Sequence, residues 1–344
     1  MSQSIRFPRS LPDFQRMFPN DAACAAYLEG VRWRDGFTCP RCGVVEEPFR
    51  FAARPAVLRC RSCRKDTSLT AGTVMQRTHS PLSTWFWAAY LMVTQTPGQS
   101  AVQFQRQLGL TRYETAFQIL HKLRAGMVRS NAERIGGRDE PVELDECLIG
   151  GATRGEGRGR HHMAYVVGAV EVRDRPPIAD GVVPTKTMLR RNGKYAGRLR
   201  LRMIPDRTAA SLLGFARDSI AQGSHVTTDD WGGYDRLDLE CGLKHSAFAE
   251  RGDPEVAEAH LPLIHLVFSN LKAWLLGTHH SVSDRHLQAY LNEFTFRFNR
   301  RFYPFNAFRS LLGLGVVAEA PTYDELYSRQ WQHPVATGAW ELTG

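Results

Sequence analysis

The spacing of apolar residues along this 344-residue chain is helical over the segments before Pro141 that carry a period, and turns strand-like just after it before strands and helices alternate. Residues 10–33 place Leu11, Phe14, Met17, Phe18, Cys24, Tyr27, Leu28 and Trp33 at roughly helical intervals, interrupted by Pro19-Asn20-Asp21, which predicts a helical lead-in. Ser80-Pro81 opens the apolar run LSTWFWAAYLMVTQ, a predicted helix that stops at Thr96-Pro97-Gly98. Ser100 is placed to cap the short helix AVQFQRQL, Gly109-Leu110-Thr111 makes a turn, and a second helix is predicted from Tyr113 to Val128. Beyond Pro141, VELDECLI alternates, AYVVGAVEV is nearly continuously apolar and LRLRMI alternates again, so three strands are predicted. A helix over Thr208–Ala221 and a fourth strand, HVTTD at 225–229, follow. Two helical segments close the pattern, HLPLIHLVFSNLKAWLLGTHH and VSDRHLQAYLNEFTFRFNRR, the second capped by Ser283. Three strands, a helix, a fourth strand and later helices describe an α/β layer fold, a sheet covered by helices.

Composition narrows the partners more than the fold. No run reaches the ~18 consecutive apolar residues of a membrane span, and MSQSIRFPRS has no apolar core of a secretion signal, so a soluble, cytoplasmic protein without membrane contact is expected. The 44 Lys and Arg against 35 Asp and Glu leave a net charge of +9, which favours a polyanion, because basic side chains set on phosphates release condensed counterions. The helix from 113 to 128 and its flanks carry Arg112, His121, Lys122, Arg124 and Arg129. Two helices joined by a short Gly-containing turn, the second one basic, have the helix-turn-helix signature with residues 111–129 as recognition helix; a plain helical hairpin is the alternative. Two Arg-rich loops, GGATRGEGRGRHH and RDRPPIADGVVPTKTMLRRNGKYAGR, suit a phosphate backbone or are simply solvated.

Four of the seven cysteines form two C-x-x-C pairs, Cys39-Pro-Arg-Cys42 and Cys60-Arg-Ser-Cys63, with 17 residues between them. Each pair brings two thiolates to one side of a tight turn, and the interval suits a hairpin that folds one knuckle onto the other. Four sulfurs suit a closed, structural Zn²⁺ site. Arg41, Arg59, Arg61, Arg64 and Lys65 make this module basic, as befits a zinc ribbon that touches DNA.

The acidic residues contain one anomaly. Asp145 lies inside the apolar strand VELDECLI, where an unpaired charge costs several kcal/mol or forces protonation. Asp229, at the end of HVTTD, can project opposite it. Two carboxylates on neighbouring strands can hold divalent cations through oxygen; a buried ion pair with an Arg is the other reading of Asp145. In the helix HLPLIHLVFSNLKAWLL, His265 and Lys272 are seven apart and share a face, whereas Asn270 points elsewhere.

Taken in order, CPRCG through CRSCRKDTSLTAGTVM, VELDECLIGG, VTTDDWGGY and HLVFSNLKAWLLGTHHSVSDRHLQAYLNEFTFRFNRR resemble the zinc-ribbon insertion-sequence transposases, the family numbered fifteen ninety-five. The resemblance runs from about residue 10 to residue 312. It implies a helical lead-in (1–36), a zinc ribbon (37–78), a helix-turn-helix-like segment (80–135), an RNase H-like catalytic domain (138–312) and a C-terminal tail (313–344). It also implies an Asp-Asp-(Glu, Asn or His) site followed by a Lys, that is Asp145, Asp229, then either Asn270 or His265, with Lys272 near a phosphate. Asn270 is the residue usually quoted in the Asn-bearing subgroup; His265 stands seven residues before Lys272, where a Glu would be expected. Two Mg²⁺ or Mn²⁺ ions, double-stranded DNA bearing terminal inverted repeats, target DNA and at least a dimer on DNA follow from the same resemblance. A DNA-binding regulator would leave Asp145 in its strand unexplained, a plain nuclease would cut without joining, and an inactive, domesticated transposase is the further alternative.

Overall fold

The computed structural model describes residues 7–128, 132–150, 163–175, 193–249, 259–280, 282–316 and 325. They form two compact units, one from residues up to Val128 together with those from Arg300, the other from Arg129 to Asn299. Both Arg-rich loops fall largely outside the described residues, as does the tail beyond 316.

In the first unit, α1 (Leu11–Met17) and α2 (Asp21–Arg32) are the predicted lead-in, broken where Pro19-Asn20-Asp21 stands. Ser10 and Asn20 accept from the backbone N–H groups of Asp13 and Ala23, so each helix starts at a side-chain cap. A three-stranded antiparallel ribbon follows, β1 (Phe49–Arg50), β2 (Val57–Arg59) and β3 (Asp66–Ser68). Helix α3 (Leu82–Thr94) begins after Pro81, which has no capping side chain. Asp21 supplies the cap from a distance, its carboxylate accepting from the N–H groups of Leu82 and Ser83 at 3.1 and 2.9 Å. Helices α4 (Ala101–Gln107) and α5 (Tyr113–Ala125) form the predicted pair, with Gly109 at φ 60 in the turn between them.

The environment of α5 revises the expected recognition surface. His121, Lys122 and Arg124 are buried, and the Lys122 ammonium donates to the carbonyl of Gln76 at 3.1 Å. Only the first turn, from Thr111 through Glu114 and including Arg112, is exposed. Three of the five basic residues expected to face DNA, His121, Lys122 and Arg124, therefore lie in the interior.

The last described helix, α10 (Pro304–Gly315), completes this unit rather than the second. Phe308 is fully buried, with Phe14, Phe18, Tyr27, Phe86 and Tyr90 around it at centroid distances of 5.6 to 6.3 Å. The helix end is tied down where the Val74 N–H donates to the Gly315 carbonyl at 2.9 Å.

The second unit is a five-stranded mixed sheet in the order β6-β5-β4-β7-β8. Its strands are β4 (Val142–Ile149), β5 (Ala164–Asp174), β6 (Lys194–Ile204), β7 (His225–Asp229) and β8 (Lys244–Phe248). The first three pair antiparallel, and β7 and β8 then add parallel on the other side of β4. This is the mixed sheet, flanked by helices, expected of the transposase core. The strand β8 has no counterpart in the sequence reading: KHSAF is short, polar and at the sheet edge, so it carries no apolar alternation. The strand β6 begins at Lys194, inside the segment expected as loop.

Side chains alternate between two cores. Val142 and Leu144 face α6 (Ala209–Ser219) and α7 (Leu237–Cys241), whereas Cys147 and Ile149 face α8 (Pro262–Trp274) and α9 (Asp284–Phe298). Helix α9 also covers the outer edge of β6. Asn299 accepts from the Leu199 N–H at 2.7 Å and donates to the Leu199 carbonyl at 3.1 Å, and Gln288 accepts from the Met203 N–H at 2.9 Å. These side chains satisfy edge groups that would otherwise pair with another strand. Among the described residues no helix is long and apolar enough to cross a membrane.

Phe308→Ala should destabilise the first unit by about 3 to 5 kcal/mol, since a buried ring is lost from an aromatic cluster that cannot collapse onto the void. Urea denaturation followed by tryptophan fluorescence would measure it; an unchanged midpoint would mean α10 does not hold this core.

Candidate active site and metal centre

The four cysteines of the ribbon converge. The Sγ atoms of Cys39, Cys42, Cys60 and Cys63 all lie within 4.8 Å of one another, with Cys39–Cys63 and Cys42–Cys60 each at 3.7 Å. A tetrahedron with Zn–S arms of about 2.3 Å has edges of about 3.8 Å, so the spacing fits the ion. The two knuckles repeat one backbone pattern. The N–H groups of Gly43 and Arg64 return to the carbonyls of Cys39 and Cys60, and the N–H groups of Cys39 and Cys60 bond the carbonyls of Val44 and Lys65. Each turn closes through a left-handed residue, Gly43 at φ 73 and Arg64 at φ 59. Some of the ribbon's cations are matched locally, since Arg59 pairs with Asp66 at 2.6 Å, while the Arg61 guanidinium lies 4.2 Å from the centre of the Phe49 ring.

In the second unit the acidic strand β4 explains itself residue by residue. Glu143 is buried and accepts from the N–H groups of Leu263 and Ile264, both at 2.8 Å, at the start of α8. This carboxylate clamps the positive end of the helix to the central strand. Two residues on and on the same face, Asp145 meets α8 again, its Oδ2 lying 3.1 Å from Nε2 of His265. Asp145 is nearly buried and His265 about one-third exposed, so the pair sits at the edge of solvent.

The helix can approach this closely because Gly168 stands directly across from Asp145 on β5. A Cβ there would lie 3.0 Å from Ile264 Cδ1 and 3.0 Å from Phe268 Cε1, both on α8, and 2.9 Å from Leu201 Cδ2. Any side chain at 168 would push the helix, and His265 with it, away from the sheet.

Asp229 is set by strand register. Val142 and Glu143 pair in parallel with Val226 and Thr227, and two residues further along both strands stand Asp145 and Asp229, on one face and at one level. One Asp229 oxygen accepts from the N–H of Trp231 at 3.3 Å. Phe248, its partner on β8, stacks on His260 at 3.7 Å, just ahead of α8.

The remaining predicted residues separate on the helix. Lys272, two turns beyond His265, is exposed; burial pushes the Cys147 thiol up to about 12, with the Lys272 charge pulling it down and Asp145 opposing that pull. Asn270 is also exposed, five residues from His265 and therefore about 140° around the helix from it. Of the two residues considered for third place, His265 is the one in contact with Asp145.

One group was missed from sequence. Glu146 points to the opposite face of β4, where Tyr234 donates to it and the Arg207 guanidinium pairs with it at 2.6 Å. Burial raises its carboxyl above the usual range, against the pull of Tyr234 and Arg207. Burial and the carboxylates Glu146, Asp145 and Asp229 together keep the Tyr234 phenol protonated. The adjacent acids Asp145-Glu146 inside a strand were the available signal, because only one of two neighbours can face α8.

Comparison with known proteins bears on the same elements. Residues 137–299 match the ISXO2-like transposase domain, and residues 19–66 match the transposase zinc-ribbon domain. The chain thus carries, in this order, a transposase zinc-ribbon domain and an ISXO2-like transposase domain. A similar protein is the uncharacterized protein in transposable element ISH50 of Halobacterium salinarum, 24% identical over 295 residues that span 82% of this chain and 92% of that one. The ribbon match ends at Asp66, just past the fourth cysteine, and the transposase-domain match ends at Asn299, which closes the β6 edge.

Two outcomes follow for these domains. Cys60→Ser should lose bound zinc and unfold the ribbon, read as metal content and far-UV circular dichroism; full zinc occupancy in that variant would exclude Cys60 as a ligand. Gly168→Val should cost about 1 to 3 kcal/mol by overpacking, measured by chemical denaturation of the second unit.

Proposed function

We propose that the chain is the transposase of an insertion sequence, which binds the element's terminal inverted repeats, cuts there and joins the freed ends to target DNA. The observation that carries this reading is the placement of Asp145 and Asp229 at one level of adjacent parallel strands, with His265 in contact with Asp145. The transposase-domain match and the transposable-element relative support the same reaction class.

Asp145, Asp229 and His265 would hold the divalent cations. The donor set of two hard carboxylate oxygens and one imidazole nitrogen fits Mn²⁺ at least as well as Mg²⁺, which prefers oxygen throughout. Bound there, the cations would supply electrostatic stabilisation of the phosphoryl group during in-line displacement. The protein's own contribution is positional. Glu143 and Gly168 hold α8 against the sheet, so that His265 is preorganised opposite Asp145. Lys272, exposed two turns along the same helix face, would bind a DNA phosphate rather than move a proton. The ribbon and the exposed first turn of α5 would contact the inverted repeats, with Arg112 at the N-terminal end that enters a groove in helix-turn-helix proteins. Pairing two element ends calls for at least a dimer on DNA.

The test is end cleavage by purified protein on linear DNA carrying the inverted repeats, in Mn²⁺ and in Mg²⁺. Asp145→Asn and Asp229→Asn should abolish cleavage while end binding survives, and cleavage persisting in Asp145→Asn would sink the assignment. His265→Ala should lower cleavage by more than the roughly 10- to 100-fold typical of a residue that merely orients a metal ligand, with Asn270→Ala changing it by no more than about twofold. The reverse ranking would make Asn270 the third residue. A regulator would leave supercoiled plasmid intact, and a plain nuclease would nick it without needing the element's ends.

A further inference from the structure

Immediately after Asp229 the chain places an indole at the surface and holds it there. Trp231 is 40% exposed, among the few large apolar side chains of the described residues left so open. Its Nε1 donates to the Arg207 carbonyl at 3.0 Å, and its backbone N–H donates to Asp229 at 3.3 Å. The Arg207 guanidinium lies 3.9 Å from the ring centroid and pairs with the buried Glu146 at 2.6 Å. Gly233 closes the fourth side, since a Cβ there would come within 2.8 Å of Nε1.

Such an arrangement is costly for a residue with no role beyond packing. Burying the ring would gain hydrophobic free energy, yet the ring stays in water while its rotamer freedom is removed by a bond, a stacked cation and a backbone turn. A rigid, exposed aromatic ring is what stacking on a nucleobase requires, and the interaction tolerates any base because every base has a π-face. The cation behind the ring adds attraction for a polyanion at the same point.

We propose that Trp231 is a stacking platform for one unpaired base next to the scissile phosphate, with Arg207 and Glu146 as the groups that position it. The inference rests on the transposase reading, in which the phosphate comes to Asp145 and Asp229. Trp231 is two residues from Asp229, so a base that reaches it belongs to a nucleotide flanking the cut. Bases of an intact duplex are stacked on one another; the one that meets Trp231 has left the helix, and an end frayed or distorted on binding offers it most readily.

The experiment scans linear end substrates that lack one base at a time, as abasic sites on either side of the cut, with wild-type protein, Trp231→Phe and Trp231→Ala. On intact DNA, Trp231→Ala should cleave about 10- to 100-fold more slowly and Trp231→Phe within about threefold of wild type, the range expected for one stacked base. At one flanking position, removal of the base should erase the difference between Trp231→Ala and wild type. A purely structural role would leave that difference unchanged at every position, and this result, or full activity of Trp231→Ala on intact DNA, overturns the proposal. Should Trp231→Ala not fold, wild type and Trp231→Phe decide it: a scan of wild type in which no single base removal alters cleavage also overturns it. Failure of wild type to cut any end in Mn²⁺ or Mg²⁺ would instead remove the transposase reading itself.

Discussion

The second unit is organised around the cost of three carboxylates on its central strand. Glu143, Asp145 and Glu146 are each largely withdrawn from water, and a buried carboxylate without partners is unfavourable by several kcal/mol. Each is matched by a different element. Glu143 takes the start of α8, Asp145 takes His265 on the same helix, and Glu146 takes Tyr234 and Arg207 on the other face. The pairings on the two faces pin both layers to one strand, and the geometry of the candidate site follows from satisfying them.

The same logic runs through the basic residues. A net charge of +9 suggests a surface ready for DNA, yet much of it is engaged internally. Arg198 and Arg173 pair with the fully buried Glu171 at 2.7 and 2.8 Å, Arg202 pairs with Asp218, and Lys122 caps a carbonyl inside the first unit. Burial pushes the Glu171 carboxyl up, but the Arg198 guanidinium and the N–H groups of Gly136 and Arg198 hold it below the usual range. Positive charge therefore does two jobs in this protein, and sequence position does not separate them. Arg112, at the exposed start of α5, and Arg124, buried near its end, look alike in a composition count.

Local signals made several elements legible in advance. The alternation in VELDECLI located β4 to the residue, the run HVTTD did the same for β7, and Ser100 caps α4 as its position suggested. The two C-x-x-C pairs picked out the four sulfurs that converge, because each pair's geometry is set within a single turn. Other features have no local signature. The strand β8 depends on β7 for its existence, α10 is an ordinary amphipathic helix whose choice of unit is decided by the aromatic pocket that receives Phe308, and the burial of His121 is a property of what surrounds α5.

For the candidate site, the sequence by itself determined the inventory: two aspartates at strand positions, a helix bearing His265, Asn270 and Lys272, and a resemblance that joined them. Helical periodicity already put His265 and Lys272 on one face. Only the tertiary structure decided which face meets the sheet, because that depends on the Glu143 clamp and on the missing side chain at Gly168, contacts between residues about a hundred positions apart. Strand register likewise brings Asp145 level with Asp229, and the packing of Arg207 against Trp231 turns an unremarked tryptophan into a fixed surface beside them. Covalent order and residue type set what the chain can do chemically; the distances at which those groups act are fixed by long-range pairing, which no local pattern encodes.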